Sequence, residues 1–159
     1  MVENMIKKDC CIKGYKTILS TDGYAFECFL YVKGKRTAIV LNGGYGGCND
    51  YQVLDENLYK EFSDFVKKLG NVIPKTEIDI KFQEKYGPIK YDDDIFIGDL
   101  IAEFETQKFY RTKCRKHTLV KLPNHKEDEF LQFNSPYNPT MKIYVMQKYP
   151  DAVIINETV

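Results

Sequence analysis

Three apolar, β-rich runs separated by glycine-containing turns occupy residues 13–42 of the 159-residue sequence and restrict its fold more than any other feature. The runs are 15–19, 24–32 and 37–41, and the turns contain Asp22-Gly23 and Lys33-Gly34-Lys35. Short glycine turns between β-rich runs are typical of antiparallel hairpins, because glycine readily adopts the positive φ values that such turns require. The sequence therefore predicts a three-stranded meander.

The spacing of apolar residues changes after this meander and predicts helices. In the first predicted helix the apolar residues recur three or four positions apart, at Leu54, Leu58, Phe62, Phe65, Val66 and Leu69. A second helix is predicted from Asp92 to about Lys113, and a third over residues 140–149 after a capping Asn138. Residues 71–91 are predicted to form a long connection with a short strand at 78–80.

A second hairpin is predicted between the last two helices, where β-rich residues 117–122 and 129–133 flank a polar turn, and residues 152–155 are expected to form a final strand. Together these elements predict an α+β fold, in which an antiparallel sheet built from hairpins packs with about three helices. We expect a single α+β domain over residues 1–159, with residues 1–11 as a flexible N-terminus.

Charge and composition exclude broad classes of function. Lys plus Arg and Asp plus Glu each number 23, so the formal net charge is zero and no global field gathers nucleic acid or a membrane surface. No apolar stretch approaches the ~20 residues of a membrane span. Five dispersed cysteines predict reduced thiols rather than a disulfide framework. We therefore predict a cytoplasmic protein without a membrane partner.

The stretch Asn42–Asp50, here called the glycine loop, concentrates four of the chain's ten glycines within five positions. One interpretation is a sharp turn that ends the third strand, and a second is a loop that binds a macromolecular partner. A third is a phosphate cradle, although the stretch lacks both the Gly-Lys-Ser/Thr ending and the Gly-x-Gly-x-x-Gly spacing of standard nucleotide sites. We favour a turn that projects Tyr45 and Tyr51, with recognition as its secondary role.

Cysteine and histidine chemistry is present only as incomplete motifs. Cys48 would gain a lowered pKa if it preceded a helix, with His117 or His125 as its base. Cys114 and His117 have the spacing of half a zinc site, but the sequence offers no second close pair to complete it. We therefore predict no catalytic residue and no cofactor.

The second predicted helix carries opposite charges at its two ends. Six acids and no base lie between Asp92 and Glu105, and six Lys or Arg and no acid lie between Lys108 and Lys121. The cluster Asp92-Asp93-Asp94 would suit Mg²⁺ together with Asp99. Complementarity to the helix dipole explains both clusters without a metal, and we favour that interpretation.

A basic segment at the end of this helix has the residue types that grip phosphates and stack on bases. Its members are Lys108, Arg111, Lys113, Arg115 and Lys116, interleaved with Phe109, Tyr110 and His117. Because the whole chain is neutral, such a segment would bind RNA or DNA through few contacts, or bind an acidic protein surface instead.

The segment Cys28–Lys35 followed by Asn42–Asn49 gives a hairpin and a Gly-Gly-Cys-Asn loop, and a later helix containing Ile97–Leu100 leads into Lys113–Leu119. In this arrangement, over residues 27–149, the chain resembles small uncharacterised proteins of bacteriophages and other mobile elements. The resemblance implies an accessory protein in the cytoplasm of a bacterial host cell, which binds and alters a host protein or nucleoprotein and counters a defence system.

Our leading hypothesis is a non-enzymatic interaction protein whose glycine loop and basic segment contact that partner. The predicted contact residues are Gly43, Gly44, Tyr45, Gly46, Gly47, Tyr51, Lys108, Arg111, Lys113, Arg115, Lys116 and His117. One alternative is an RNA- or DNA-binding accessory protein, whose binding would fall steeply as salt rises. Another is a small enzyme with a nucleophilic Cys48, or a metal-assisted hydrolase that uses the Asp92–Asp94 cluster.

Overall fold

A computed structural model describes residues 5–159 of the chain. Within these residues the chain forms seven strands and four α-helices, which confirms the predicted α+β class with hairpin-built antiparallel sheets. In chain order the elements are β1 Cys10–Leu19, β2 Tyr24–Val32, β3 Lys35–Asn42, β4 Asp50–Val53, α1 Glu56–Lys68, α2 Glu77–Tyr86, α3 Asp93–Cys114, β5 Thr118–Lys121, β6 Leu131–Phe133, α4 Pro139–Lys148 and β7 Val153–Ile154.

The contacts of the chain divide it into two compact units, which meet in sequence between Ala102 and Glu103, inside α3. Unit 1 contains β1–β4, α1, α2 and the start of α3; unit 2 contains the end of α3 and all later elements. The single domain stays a prediction. Of the predicted flexible N-terminus, residues 1–4 lie outside the described residues, whereas Lys7–Asp9 form a 3-10 turn and Cys10 opens β1.

The sheet of unit 1 has the strand order β1-β2-β3-β4, and every neighbouring pair is antiparallel. The predicted meander is therefore confirmed and gains a fourth strand. Between β2 and β3, Lys33 has φ 49° and Gly34 has φ 77°, as expected of the tight hairpin turns that match strand twist. The register of β1 and β2 shifts between Lys13 and Lys16, where a bulge interrupts the ladder.

One face of this sheet forms the core of unit 1 together with α1 and the start of α3. Cys28, Leu30 and Val40 are fully buried on the sheet, and Phe62 is fully buried on α1. The ring of Phe62 lies 5.7 Å from that of Phe96 in α3 at a near edge-to-face angle, a geometry that aromatic pairs prefer. Asp55 accepts a hydrogen bond from Leu58 N at 3.1 Å and caps α1.

The prediction of a connection with a strand at residues 78–80 is wrong, because Glu77–Tyr86 form α2. Thr76 Oγ1 accepts from Asp79 N at 3.1 Å, and the Asp79 carboxylate accepts from Thr76 N at 3.0 Å. This reciprocal pair is a capping box, and Gly87, with φ 89°, ends the helix. The alternation of Ile78 and Ile80 imitates a strand, but both side chains are exposed.

Unit 2 contains a three-stranded antiparallel sheet with the order β6-β5-β7. The second hairpin and the final strand are therefore confirmed. Asn138 accepts from Met141 N at 2.9 Å and caps α4, as predicted. The core of this unit combines Val120 of β5, Val145 of α4 and Ile154 of β7. Within the described residues, no helix has both the length and the apolar character that crossing a bilayer requires.

Candidate functional site

The glycine loop connects two strands, β3 and β4, so a short strand that was not predicted lies between it and α1. Asn42 organises the loop from its base. Its Oδ1 accepts from Gly44 N at 2.9 Å, and its Nδ2 donates to Asn49 Oδ1 at 2.9 Å and to Gly47 O at 3.2 Å. These bonds tie the start of the loop to its end and fix its path.

The loop is also fastened to the tip of the β1–β2 hairpin. The Ser20 hydroxyl donates to Gly23 O at 2.8 Å and lies 3.1 Å from Gly44 O, so it bridges the hairpin turn and the loop. Gly44 has φ 76°, and a Cβ atom on it would lie 2.5 Å from Ser20 Oγ and 2.7 Å from Ala25 N. Only glycine satisfies both the backbone angle and the close approach.

Four large apolar or aromatic side chains are exposed around this junction, and we call them the tip surface. They are Ile18 at 74%, Leu19 at 72%, Tyr24 at 66% and Tyr45 at 76% exposure. Leu19 and Tyr24 are cross-strand partners at the end of the hairpin, and Ser20 joins that end to the loop that carries Tyr45. Because successive side chains of a strand point to opposite faces, Leu19 and Tyr24 lie on one face of the hairpin end and Ile18 on the other. Exposed apolar side chains concentrated in this way are typical of interaction sites.

A groove of about 500 Å³ lies beside the tip surface at the end of the unit 1 sheet. Its lining includes a cross-strand row in which Lys16 pairs with Glu27, Glu27 with Leu41 and Leu41 with Asp50. The next row contributes Ile18 and its partner Ala25, whose small side chain leaves the groove open. The groove therefore combines apolar walls with charges of both signs.

The phosphate-cradle interpretation gains no support from the loop geometry. An anion nest requires backbone N–H groups that point together at a ligand. Here Gly44 N donates to Asn42, and Asn49 N donates to Asp94 Oδ2 at 3.1 Å. Two of the loop amides are thus already used inside the protein.

Tyr51 does not project from the loop as predicted. It lies in β4 and is half-buried, and its hydroxyl donates to Asp94 Oδ1 at 2.6 Å. Burial and the hydrogen bond to Asp94 raise the pKa of Tyr51 well above its usual range. The side chain thus links β4 to the start of α3 and stabilises the far end of the loop.

The three aspartates at the start of α3 have separate structural partners. Asp92 Oδ1 accepts from Ile95 N at 2.8 Å, Asp93 Oδ2 accepts from the Tyr59 hydroxyl at 2.9 Å, and Asp94 accepts from Tyr51. These contacts agree with the interpretation of a capped helix start. Within residues 5–159, no group of three or more His, Cys, Asp or Glu is arranged to hold a metal ion.

The cysteine and histidine candidates belong to different surroundings. Cys48 is exposed and precedes strand β4 rather than a helix. Burial raises the pKa of the Cys114 thiol, which disfavours the thiolate that a zinc site needs. His117 is half-buried, and its Nδ1 has no hydrogen-bond partner among the described residues.

The basic segment divides between two sides of α3. The rings of Phe109 and Tyr110 lie 6.1 Å and 5.8 Å from that of Phe130, and Lys113 Nζ donates to Gln132 Oε1 at 3.2 Å. Arg111 and Arg115, four positions apart, instead line a pocket with other residues of unit 2. The predicted role of this segment in nucleic-acid binding stays a prediction.

The predicted contact residues other than Tyr51 thus fall into three groups. Tyr45 is exposed beside the hairpin tip; Gly43 and Gly44 set the loop path, and a Cβ on Gly43 would lie 2.9 Å from the Tyr45 ring. Gly46 and Gly47 have open space around them. Lys108, Arg111, Arg115 and Lys116 are exposed in unit 2, and Lys113 and His117 are half-buried there.

Sequence reasoning missed Ile18, Leu19, Ser20 and Tyr24, although a signal for them existed. Adjacent apolar Ile18 and Leu19 break the strand alternation directly before the turn, so both faces of the hairpin end are apolar.

Comparison with protein-family models, with curated proteins and with solved structures gave no match. The function must therefore be argued from the geometry.

Proposed function

We propose that the chain is a non-enzymatic accessory protein that binds a protein partner through the tip surface and the adjoining groove. The observation that supports this proposal most directly is the set of four exposed apolar side chains on a junction fixed by hydrogen bonds. Their exposure is unfavourable in water, and a partner that covers them would recover the free energy of apolar burial.

The chemistry of the site favours a protein partner. Two of the four side chains are tyrosines, which are enriched at protein interfaces because they offer large contact area and a polar end. The groove beside Ala25 suits one inserted apolar side chain, and Lys16, Glu27 and Asp50 at the same place favour a partner with charges of both signs around that anchor.

The rigidity of the junction supports recognition by a preformed surface. Asn42 and Ser20 hold the loop and the hairpin tip in one arrangement, so little conformational entropy would be lost when a partner binds. The side chains of Tyr24 and Tyr45 have few rotatable bonds, which keeps that cost low.

The biological setting belongs to the same proposal. The resemblance to small proteins of bacteriophages and mobile elements supports a host protein, in the cytoplasm of a bacterial cell, as the partner that is bound and modulated. A basic contact through the second unit stays a prediction within this scheme.

Site-specific photocrosslinking tests the proposal in two stages. A photoreactive phenylalanine analogue at position 45 is expected to capture a specific host protein in bacterial cells, whereas the same analogue at exposed Tyr86 is not. The captured protein is then purified, and its affinity for the chain is measured by calorimetry.

Matched variants then separate the tip surface from general surface hydrophobicity. The double variant I18S/Y45S is expected to weaken binding at least about tenfold, and A25L is expected to do the same by filling the groove. The control I78S/Y86S removes side chains of similar exposure, 79% and 64%, from α2 and should leave the affinity unchanged. Equal affinity of I18S/Y45S and the parent chain would refute the proposal.

A further inference from the structure

A pocket in unit 2 is lined by none of the residues of the proposed protein-binding site. It has a volume of about 410 Å³ and lies at the C-terminal end of α3. Its lining consists of Arg111, Cys114, Arg115, Tyr137, Asn156 and Val159. The pocket is notable for two guanidinium groups at the end of this helix: Arg111 lies in its last turn, and Arg115 follows directly after its last residue, Cys114.

No acidic side chain of the described residues is paired with either arginine. Within residues 5–159, neither Arg111 nor Arg115 makes an ion pair or a side-chain hydrogen bond. Glu157, which accepts a hydrogen bond from the hydroxyl of the pocket residue Tyr137, is already paired with Lys142 at 2.7 Å. The pocket therefore presents positive charge to a ligand.

The polar side chains of Asn156 and Tyr137 in the pocket are committed to the fold. Asn156 Oδ1 accepts from Leu119 N at 2.8 Å, and its Nδ2 donates to His117 O at 2.8 Å and to Cys114 O at 3.3 Å. The Tyr137 hydroxyl donates its hydrogen bond to the Glu157 carboxylate. The donors that a ligand would find are therefore the two guanidinium groups, on a wall held rigid by Asn156.

We propose that this pocket binds a phosphate group, held between Arg111 and Arg115. Each guanidinium presents a planar fork of N–H donors, which matches two oxygens of a phosphate. The three terminal oxygens of a phosphate monoester can engage both forks at once, and each of the two terminal oxygens of a diester can accept from one of the guanidinium groups. The ligand is a phosphate monoester or diester, supplied either by a small molecule or by a nucleic-acid backbone.

Titration of the full chain with three probes tests this site. Inorganic phosphate, a nucleoside monophosphate and a dT10 oligonucleotide are added at low salt, and the Arg Nε–H NMR signals are followed. Saturable shifts of the Arg111 and Arg115 signals are expected with at least one probe. If the oligonucleotide binds far more tightly and its affinity falls steeply with salt, the phosphate belongs to a nucleic-acid backbone. If the three probes bind alike, it belongs to a small molecule.

Charge-matched variants decide whether the arginines are responsible. R111Q/R115Q should abolish the saturable shifts, and R111K/R115K should weaken binding about tenfold because it keeps the charge and loses the forks. The control K126Q/K148Q removes the same charge from exposed positions of unit 2 and should change the affinity less than twofold. Absence of saturable binding by all three probes, or equal losses in R111Q/R115Q and K126Q/K148Q, would overturn the proposal. None of these variants touches the tip surface, so the two proposals fail independently.

Discussion

The tip surface of unit 1 and the basic pocket of unit 2 differ in what holds their exposed side chains in place. At the tip surface, the main chain of Gly44 packs closely against the main chain of the hairpin at Ala25, and the Ser20 hydroxyl lies within hydrogen-bond distance of Gly44 O. At the basic pocket, one side chain, that of Asn156, ties the end of α3 to strand β5. The first arrangement holds the main chain that carries the exposed side chains in one conformation. The second holds only the main chain near the pocket, and the long arginine side chains can still change rotamer. A shape suits selective packing against a protein, and adjustable charges suit a small anion.

The substitution Gly44→Ala should have the largest effect on stability, because it disrupts the junction between the glycine loop and the hairpin. The added Cβ would meet Ser20 Oγ at 2.5 Å on a backbone with φ 76°. Steric crowding and left-handed backbone strain together should lower the free energy of unfolding by about 3 kcal/mol. Chemical denaturation followed by circular dichroism measures this loss.

Two neighbouring glycines supply internal controls for that experiment. Gly46 has φ 76°, but a Cβ added to it would have no neighbouring atom within 4 Å, so Gly46→Ala should cost about 1 kcal/mol from backbone strain alone. Gly47 has neither constraint, and Gly47→Ala should be nearly neutral. Equal costs at all three positions would show that the contact with Ser20 does not hold the loop.

The substitution Asn156→Ala tests the other half and should lower the free energy of unfolding by about 2 kcal/mol. It leaves the buried Leu119 N without its acceptor and removes the donor to His117 O, and unpaired buried polar groups are costly. Asn124→Ala, at an exposed position, is the matched control. A loss larger than that of Gly44→Ala would mean that the Asn156 contacts contribute more to stability than the Gly44 junction does.

The substitution Tyr51→Phe should lower the free energy of unfolding by about 1 kcal/mol, because it removes the hydrogen bond to Asp94 that holds the end of the loop. The effect should depend on pH. The folded-state pKa of Tyr51 is raised, so its stabilising contribution is complete below the unfolded-state pKa of about 10 and is lost as the pH rises further.

Denaturation at pH 8 and at pH 11 measures this dependence. The stability difference between the parent chain and Tyr51→Phe should shrink at the higher pH. Tyr45→Phe, in which the altered side chain is exposed, should show no such change. A difference that grows with pH would contradict the assigned role of Tyr51.

The smallest effects on stability are expected at the tip surface itself. Ile18→Ser and Tyr45→Ser should each change the free energy of unfolding by less than about 0.5 kcal/mol, since both side chains are at least 74% exposed. A loss above 1 kcal/mol in either variant would mean that the side chain is needed for the fold rather than left available for a partner.

Much of the fold could be predicted from local patterns. Glycine at the hairpin turns, the three-and-four spacing from Leu58 to Phe65, and Asn138 before Pro139 each act over a few residues, and each element was confirmed. Helix α2 was missed because its apolar residues alternate like those of a strand, although the Thr76–Asp79 capping box was a readable signal. Strand β4 has only four residues, too few for a periodic pattern.

The candidate site was less predictable because its contacts join distant parts of the chain. Ser20 and Gly44 are 24 positions apart, and Tyr51 and Asp94 are 43 apart. Composition identified the glycine loop and Tyr45, but the apolar hairpin end beside them depends on the register of the sheet. The basic segment was identified as one cluster, and only helix geometry separates Arg111 from Phe109.

The bulge in β1 has a consequence for the behaviour of this chain at high concentration. Strand β1 forms an edge of its sheet and also carries the exposed Ile18 and Leu19, a combination that invites copies to pair edge to edge and grow into fibrils. The register shift between Lys13 and Lys16 bends the strand and interrupts the row of backbone groups that a second copy would need. We therefore expect the bulge to oppose edge-to-edge pairing of copies, although Ile18 and Leu19 stay exposed on β1.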